Sequence, residues 1–375
     1  MAGELSFEFD RGPGGAGARF AAPHRVIRAE TPEELAAAFE AIERARADGL
    51  WLAGVFSYEL GYCLTGRLAP LLPERRPLPL LLVGAYDAPG RPRPAVEPAV
   101  EVPAFAPAIA PEAYAAAFER VQAYISAGDV YQINLTFPLH APCATDPRAL
   151  YARLQASQPV GHGCLVEAED FALLSRSPEL FFAVDAQGRA EVRPMKGTVA
   201  RGPTPEADRA AAEWLRGSEK NRAENLMIVD LLRNDLSRIA HPGTVKVPRL
   251  FEIESYATVH QMTSTVTADL VENLDFARIC VALFPCGSVT GAPKIRAMEI
   301  IRELETGPRG AYCGAIGWIA PSGAMEFNVA IRTVMVRDGQ AVLNVGGGVV
   351  HDSRGPEEWE EALCKAAFVN APLPG

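Results

Sequence analysis

The last third of the chain places the tightest limit on the fold, because strands follow one another there with only short turns between them. From residue 312 to 351 the apolar pattern is that of a β meander, with turns at Ser322-Gly323 and Asp338-Gly339. A further strand pair flanks Gly188 within residues 180–194. Strands joined by tight turns pair in the antiparallel sense, so the sequence predicts antiparallel sheet and an α+β fold.

Helices are predicted between these strands from the signals at their ends. Pro111 opens a helix that Gly128 ends, with proline in the first turn and glycine after the last. Strict alternation from residue 130 to 137 predicts a strand with Tyr131 and Ile133 on one face and Gln132 on the other. Similar signals predict further helices at 32–48, from Asp146-Pro147, at 204–217, 219–240, 274–283 and 292–306, and from Pro356 to about 369.

Proline spacing suggests how the chain is divided. Seven prolines between Pro89 and Pro111 exclude a helix and favour an extended connector. We therefore predict an N-terminal segment at 1–88 that contributes to the sheets, a connector at 89–110 and a main body at 111–375. Together they are expected to form one integrated domain.

Charge and composition narrow the partners. The formal net charge is −10, which repels phosphate backbones and makes nucleic acid a poor partner. No apolar run approaches the ~20 residues that a membrane span needs, and the N-terminus lacks a signal-peptide pattern. The seven cysteines are scattered and form no metal-binding spacing. We expect a cytoplasmic protein whose positive charge is local if its substrate is an anion.

Two predicted helices carry carboxylates that need an explanation. Glu224 shares an apolar stripe with Met227 and Ile228, and burying it unpaired would cost about 3 kcal/mol or more. It is either paired within its own helix, or it binds a metal or ligand. Glu358, Glu361 and Lys365 lie on one face of the last helix. They form either a solvated salt-bridge face or a site where the two carboxylates, together with Glu224, suit an octahedral Mg²⁺.

Other segments could bind an anion or act as a nucleophile. Gly346, Gly347 and Gly348 end a predicted strand and leave backbone amides open to an anion, although a bend in the sheet would also explain them. Residues 287–294 lead into a helix N-terminus but lack the spacing of a nucleotide loop. Arg332, on the predicted strand 328–334, could clamp a carboxylate. Lys196 is predicted in a turn, where a desolvated lysine could act as a nucleophile.

In chain order these segments resemble the chorismate-utilising enzymes, a family that includes anthranilate, isochorismate, salicylate and aminodeoxychorismate synthases. The resemblance spans roughly 111–370, and residues 1–88 match only weakly. It implies a two-layer α/β fold of large antiparallel sheets packed face to face with helices outside. The matching segments are SRSPELFF (175–182), RPMKGTVARG (193–202), KNRAENLMIVDLLRNDL (220–236), CGSVTGAPKIRAMEII (286–301), AYCGAIGW (311–318), NVAIRTV (328–334), GGGVVHDS (346–353) and EEWEEALCKA (357–366).

The resemblance also implies roles for individual residues. Mg²⁺ would be held by Glu224 and Glu361, with Glu358 linked through water, and would take the ring carboxylate of chorismate. Glu179 resembles the general acid that protonates the leaving 4-hydroxyl group. The residues implied in substrate binding are Thr290, Tyr312, Arg332, Gly346, Gly347, Gly348 and Lys365.

Lys196 decides between branches of the family. Anthranilate and isochorismate synthases typically have alanine there, whereas aminodeoxychorismate synthases have a lysine that is thought to attack C2 of chorismate. Gln261, where anthranilate synthases usually have histidine, also fits an enzyme that keeps the enolpyruvyl group, and the adjacent His260 is expected on the opposite strand face. Asn221 departs from the acidic residue common in relatives. An anthranilate synthase component and a non-catalytic chorismate-binding subunit remain the alternatives.

The implied reaction is the Mg²⁺-dependent amination of chorismate to 4-amino-4-deoxychorismate, a step towards 4-aminobenzoate and folate. The ammonia must have a source, and we find no amidotransferase portion and no lyase portion in the sequence. The resemblance therefore implies a separate glutamine amidotransferase subunit as partner.

Overall fold

Two large sheets dominate the computed structural model, which describes residues 5–256 and 259–371. Every pairing between its named strands is antiparallel. The strands β1 to β19 lie, in chain order, at Ser6–Phe9, Ala18–Phe20, Arg25–Ala29, Trp51–Phe56, Leu81–Tyr86, Ala106–Pro107, Gln132–Pro142, His162–Glu167, Ala172–Ser177, Leu180–Val184, Arg189–Val192, Met195–Ala200, Lys246–Ser255, Val259–Asp269, Gly291–Ala292, Ala315–Ile319, Met325–Val329, Thr333–Arg337 and Gln340–Val349.

The strand order is different in the two sheets. The first sheet runs β15-β7-β19-β18-β9-β8-β1-β2, with β6 added beside β7. The second sheet runs β12-β14-β11-β10-β17-β16-β4-β5-β3, with β13 added beside β14. Consecutive strands such as β16 and β17 pair directly, as the tight turns of the sequence predict, so the antiparallel expectation is confirmed.

The helices cover the outer faces of the sheets. Helices α1 to α9 lie at Leu35–Ala47, Leu60–Cys63, Pro111–Ser126, Pro147–Ser157, Pro205–Gly217, Glu219–Ser237, Phe276–Leu283, Lys294–Leu304 and Gly355–Ala366. The predicted helix at 292–306 begins later because Pro293 is its N-cap. None of the helices in the described ranges combines the length and the apolar character that crossing a membrane requires.

Three apolar clusters show how the layers stack. One joins the second sheet to α1, α6 and α7, and includes Ile42, Ile228 and Phe276. A second joins the first sheet to α3, α4, α8 and α9. The third lies between the sheets, where Phe7 of the first sheet meets Val55 of the second. The expected arrangement, sheets face to face with helices outside, is therefore confirmed.

The chain crosses from one sheet to the other at two neighbouring places. Glu179 lies between β9 of the first sheet and β10 of the second, and Arg332 lies between β17 of the second sheet and β18 of the first. The crossings are tied together, since the Val329 amide donates to the Glu179 carbonyl at 3.1 Å and the Arg176 amide donates to the Arg332 carbonyl at 2.9 Å. Both crossing residues are thus brought between the sheets.

Two local predictions are wrong. The segment 328–334 is not one strand, because it is broken where Arg332 adopts a positive φ of 49° and the chain changes sheets. Tyr131 does not share the buried face of Ile133. Its side chain is 71% exposed. The residue lies just before the first residue of β7, and its amide donates to the Ala292 carbonyl.

The N-terminal residues enter both sheets. Strands β1 and β2 belong to the first sheet, and β3, β4 and β5 to the second. Within the proline-rich connector, Arg93 bridges Glu8 and Glu167, and β6 pairs with β7. The domain limits at 88 and 110 stay predictions.

A buried charge network joins these segments. The Arg309 side chain is almost fully buried and donates to both oxygens of Glu305, to the Val289 carbonyl and to the Asn134 carbonyl. Glu59 of the N-terminal segment accepts from the Arg309 amide at 2.7 Å. Since a buried charge without a partner is costly, this network specifies how the segments meet.

We expect Arg309→Leu to lower the free energy of unfolding by about 3–5 kcal/mol, because Glu305 would stay buried without its counter-charge. Arg120→Leu is the matched control, since it removes an exposed partner of Glu303 and should cost under ~1 kcal/mol. Urea unfolding of both variants checks this. Equal losses in the two variants would contradict the structural role given to the network.

Candidate active site

The glycine run and the last helix form one wall of the site. Gly346, Gly347 and Gly348 pair with Thr136, Leu135 and Asn134 of β7. Helix α9 packs along β19 and places its polar face over these glycines. A Cβ on Gly347 would lie 2.8 Å from Glu358 Oε2 and 3.4 Å from Lys365 Nζ. The absence of a side chain at Gly347 therefore leaves room over the strand for the ends of the Glu358 and Lys365 side chains.

The α9 side chains are held by near neighbours. Lys365 Nζ donates to the Gly346 carbonyl at 2.9 Å and pairs with Glu361 Oε1 at 2.8 Å. Glu358 Oε1 accepts a hydrogen bond from Ser353 Oγ at 2.6 Å. Burial raises the pKa of Glu358, and burial would also raise that of Glu361, but the Lys365 ammonium brings it below its usual value.

Lys196 reaches the same glycine run from the second sheet. It lies in strand β12, and not in a turn as predicted. The strand is irregular at this point, since the pairing register slips between Met195 and Thr198 and Gly197 has a φ of 92°. A Cβ on Gly348 would lie 3.1 Å from Lys196 Nζ. The irregular strand thus directs the amine at the wall formed by the first sheet.

The surroundings of Lys196 favour its neutral form. Burial lowers its pKa and the Lys365 charge lowers it further, whereas Glu224 and Glu179 act in the opposite direction. Glu224 is half-buried on α6, and burial raises its pKa against the effect of Lys196. A lysine in such a setting has a larger fraction of free amine at neutral pH than an exposed lysine has.

Helix α6 does not pair Glu224 internally. Arg233 binds Asp230 at 2.7 Å, and Asp235 binds Lys294 at 2.6 Å. The charges that act on Glu224 come from Lys196, Lys220, Glu361 and Lys365, so the structure brings together residues predicted from three separate segments.

Asn221 supports the strand that carries Lys196. Its side chain donates to Ser218 Oγ at 2.8 Å, and its Oδ1 would lie 2.9 Å from a Cβ on Gly197. It therefore packs on the irregular turn of β12. Gln261 pairs with Thr198 on the neighbouring strand, and His260 faces away, where it bonds Asp208 and Ser255. Ala257 and Thr258, at the start of this segment, lie outside the described residues.

Glu179 and Arg332 form the part of the site between the sheets. Glu179 is 4% exposed, and burial raises its pKa to about 7 although Ser288, Lys196 and Arg332 all act to lower it. Burial also lowers the pKa of Arg332. The pair combines a carboxyl group that can hold a proton near neutrality with a cation suited to an anionic ligand.

Thr290 and Tyr312 are placed on segments that flank β7. The Thr290 hydroxyl donates to the carbonyls of Cys286 and Gly287, so its proton is already used within its own turn. Tyr312 is buried, and burial raises the pKa of its phenol far above the ordinary value. Both residues lie near Asn134, whose amide donates to the Thr290 carbonyl.

Gln132 is a site residue that the sequence reasoning missed. Its side chain is fully buried, its Nε2 would lie 3.2 Å from a Cβ on Gly348, and neither polar atom has a partner within the described residues. A buried amide without hydrogen bonds is costly unless a ligand or water satisfies it. The sequence did offer one signal for Gln132, since it is a polar residue in the alternating pattern of a strand that is buried on both faces.

The residues predicted to hold a metal do not form a ligand group in this structure. Across residues 5–256 and 259–371, no group of three or more His, Cys, Asp or Glu side chains is arranged to hold an ion. Glu361 is paired with Lys365, and Glu358 with Ser353. The carboxylates nevertheless interact, because Glu361 contributes to the raised pKa of both Glu224 and Glu358.

Comparison with known proteins identifies the family of this chain. The chain belongs to the family described as chorismate binding enzyme, whose model matches residues 11–371. In structure it resembles anthranilate synthase component I from Streptococcus pneumoniae, with a TM-score of 0.80 and 24% identity over 98% of this chain and 90% of that one. An isochorismate synthase from Bacillus anthracis gives a TM-score of 0.77 at 21% identity over 98% of this chain and 95% of that one. These two likenesses support the fold.

Curated relatives are more similar in sequence. Aminodeoxychorismate synthase component 1 of Salmonella typhimurium is 44% identical over 260 residues, which cover 69% of this chain and 57% of that protein. The protein of the same name from Bacillus subtilis is 41% identical over 256 residues, 68% of this chain and 54% of that one. The aligned region thus spans a little over half the length of these relatives.

We expect Gly348→Ala to weaken chorismate binding about tenfold or more. The new methyl group would press on Lys196 and Gln132, and these side chains would have to move to make room for it. Gly66→Ala is the control, since a Cβ there meets no atom within 4 Å. Titration calorimetry of both variants measures the change. Wild-type affinity in Gly348→Ala would show that chorismate does not occupy this wall.

Proposed function

We propose that this chain aminates chorismate to 4-amino-4-deoxychorismate. The observation that carries the proposal is the position of Lys196, a half-buried amine with a lowered pKa that faces Gly348 and interacts with Glu179. An alanine at this position would leave no nucleophile. The curated relatives that carry the name aminodeoxychorismate synthase support the same choice within the family.

The two carboxylates of the substrate bind at different places in the proposed site. The enolpyruvyl carboxylate pairs with Arg332, which lies where the chain crosses between the sheets and has a positive φ, and Tyr312 is the second residue assigned to this carboxylate. The ring carboxylate lies against the amides of Gly346 to Gly348. Lys365, already fixed to the Gly346 carbonyl, adds positive charge there.

The chemistry then follows from two titratable groups. The free amine of Lys196 attacks C2 of chorismate, both ring double bonds shift by one position, and the C4–O bond breaks. Glu179 gives its proton to the departing hydroxyl group, which leaves as water. Ammonia adds at C4, the two double bonds shift back, and the C2–N bond breaks, which releases Lys196 as the amine. The new C4 ammonium group then returns a proton to Glu179. A covalent step of this kind replaces one difficult substitution by two easier ones.

Mg²⁺ suits the chemistry of the donors, although these side chains are not arranged as a ligand group in the described residues. Glu224, Glu358 and Glu361 offer carboxylate oxygens, the ligands that Mg²⁺ prefers, and their mutual repulsion would be relieved by a divalent cation. These three residues would hold the ion. When bound, it would supply positive charge to the ring carboxylate of the substrate.

The ammonia is expected to come from a glutamine amidotransferase. The relatives are named component 1, which indicates a second component in those systems. We infer that this chain takes ammonia from such a partner and that free ammonium can replace the partner in an assay. The product would serve 4-aminobenzoate and folate synthesis.

A turnover assay with chorismate, Mg²⁺ and ammonium tests the function. We expect a product with the mass of aminodeoxychorismate that still contains the enolpyruvyl group, with no released pyruvate. Anthranilate together with pyruvate would instead identify an anthranilate synthase. Binding of chorismate without turnover would favour a non-catalytic subunit.

Lys196→Ala should reduce amination by ~10²-fold or more, because the nucleophile is removed. Lys246→Ala is the matched control, as it removes an exposed lysine of β13. Initial rates at saturating chorismate and ammonium give the comparison. Unchanged turnover in Lys196→Ala would rule out covalent catalysis by this residue.

The pH dependence should report Glu179. Its pKa is raised to about 7, so the proton needed by the leaving group is present below that pH and is lost as the pH rises through it. We expect kcat/KM for chorismate to fall above about pH 7 at constant free ammonia. In Glu179→Gln the rate should drop by ~10²-fold or more and no longer show this fall. A fall that persists in the variant would assign the acid elsewhere.

A further inference from the structure

Ser288 makes the shortest side-chain contact to Glu179. Its Oγ donates to Glu179 Oε1 at 2.7 Å, and both residues are only 4% exposed. Ser288 lies in a short 3-10 helix, Gly287–Val289, between α7 and β15. The sequence singled out this segment only as a possible anion-binding loop, so no role had been given to the hydroxyl group.

A second group can donate a hydrogen bond to the Ser288 hydroxyl. Cys286 Sγ lies 3.2 Å from Ser288 Oγ. Burial raises the pKa of the Cys286 thiol to about 12, so the thiol keeps its proton and can donate it to Ser288. The three groups then form a chain in which the thiol donates to the hydroxyl and the hydroxyl donates to the carboxyl group.

The backbone at Glu179 is fixed independently of this chain. Its amide donates to Ser177 Oγ at 3.2 Å, and its carbonyl accepts from the Val329 amide at 3.1 Å. Ser288 therefore has little to contribute to the position of the main chain. What it can fix is the rotation of the carboxyl group and the choice of oxygen that carries the proton.

We propose that Ser288 is a positioning residue for the general acid: its hydroxyl occupies Oε1 of Glu179 and so places the acidic proton on Oε2, the oxygen left for the departing hydroxyl group. This inference rests on the proposed role of Glu179. It adds a function for a residue outside the substrate and metal sets, because Ser288 acts on the reaction only through Glu179.

The same hydrogen bond adjusts the acidity of Glu179. A donor to a carboxylate stabilises the charged form and lowers its pKa, and Ser288 acts in this way together with Lys196, Arg332 and the Met195 amide. Glu179 also affects the thiols of Cys286 and Cys313, which face it from other segments. Without Ser288, the carboxyl group should hold its proton to a higher pH.

Ser288→Ala tests the proposal by its pH profile. We expect the alkaline fall of kcat/KM to move up by about one pH unit, the size expected for one lost hydrogen bond to a charged group. We also expect kcat to drop about tenfold or more because the proton is misplaced, while KM for chorismate stays nearly unchanged. Ser288→Thr keeps the hydroxyl group and should return the fall to its wild-type position.

Infrared spectroscopy of the protein without substrate gives a second readout. Buried Glu59, whose pKa is also raised to about 7, should give a similar band of a protonated carboxyl group. The band that disappears in Glu179→Gln is the one that belongs to Glu179. This band should titrate about one pH unit higher in Ser288→Ala than in wild type. Ser57→Ala, which removes a buried hydroxyl bonded to the Leu80 carbonyl, should not move it.

The outcomes are distinguishable. An unchanged band and an unchanged pH profile in folded Ser288→Ala would overturn the proposal. If the alkaline fall persists in Glu179→Gln, the general acid has been misassigned, and the inference about Ser288 falls with it even if the band shifts. If Ser288→Ala does not fold, Ser288→Cys offers a weaker donor of similar size and should shift the band in the same direction. No shift in that variant would equally contradict the proposal.

Discussion

Arg309 has only 3% of its surface exposed, and the arrangement of the site depends on the bonds that its guanidinium makes. The group stacks on Tyr58, with its carbon 4.5 Å from the ring centroid, and reaches the carbonyls of Val289 and Asn134. Val289 precedes Thr290, and Asn134 lies two residues after Gln132. A single buried cation thus connects the N-terminal segment to two segments that border the site.

Desolvation shifts the pKa values on which the proposed reactivity depends. Burial is the first cause of the altered pKa of Lys196, Glu179 and Arg332 alike. It disfavours the charged form of each group, so the amine tends towards a nucleophile and the carboxyl group towards an acid. The sheet crossings provide this burial, because they carry Glu179 and Arg332 away from either surface.

Much of this could be predicted from the sequence. Tight turns at Gly323 and Gly339 indicated antiparallel pairing, and proline and glycine at helix ends located most of the helices. The sequence could not show that the chain changes sheets at Arg332, since the segment 328–334 contains no glycine or proline to mark a break. The residue roles implied by the resemblance stay predictions, although their side chains converge on one region.

Two residues of the site were not predicted from the sequence, for the same physical reason. Gln132 and Ser288 are polar groups whose importance comes from burial and from neighbours distant in sequence, namely Gly348 and Glu179. Periodicity reports which face a residue occupies, but it does not report what lies opposite that face. Such contacts become visible only in three dimensions.

An NMR titration of the lysine amines, in protein with 15N-labelled lysine side chains, tests most directly whether burial generates the nucleophile. We expect one amine with a pKa below the usual value near 10.4, and its signal should be absent in Lys196→Ala and present in Lys246→Ala. If every lysine titrates near the usual value, burial does not generate the nucleophile, and the central claim is contradicted.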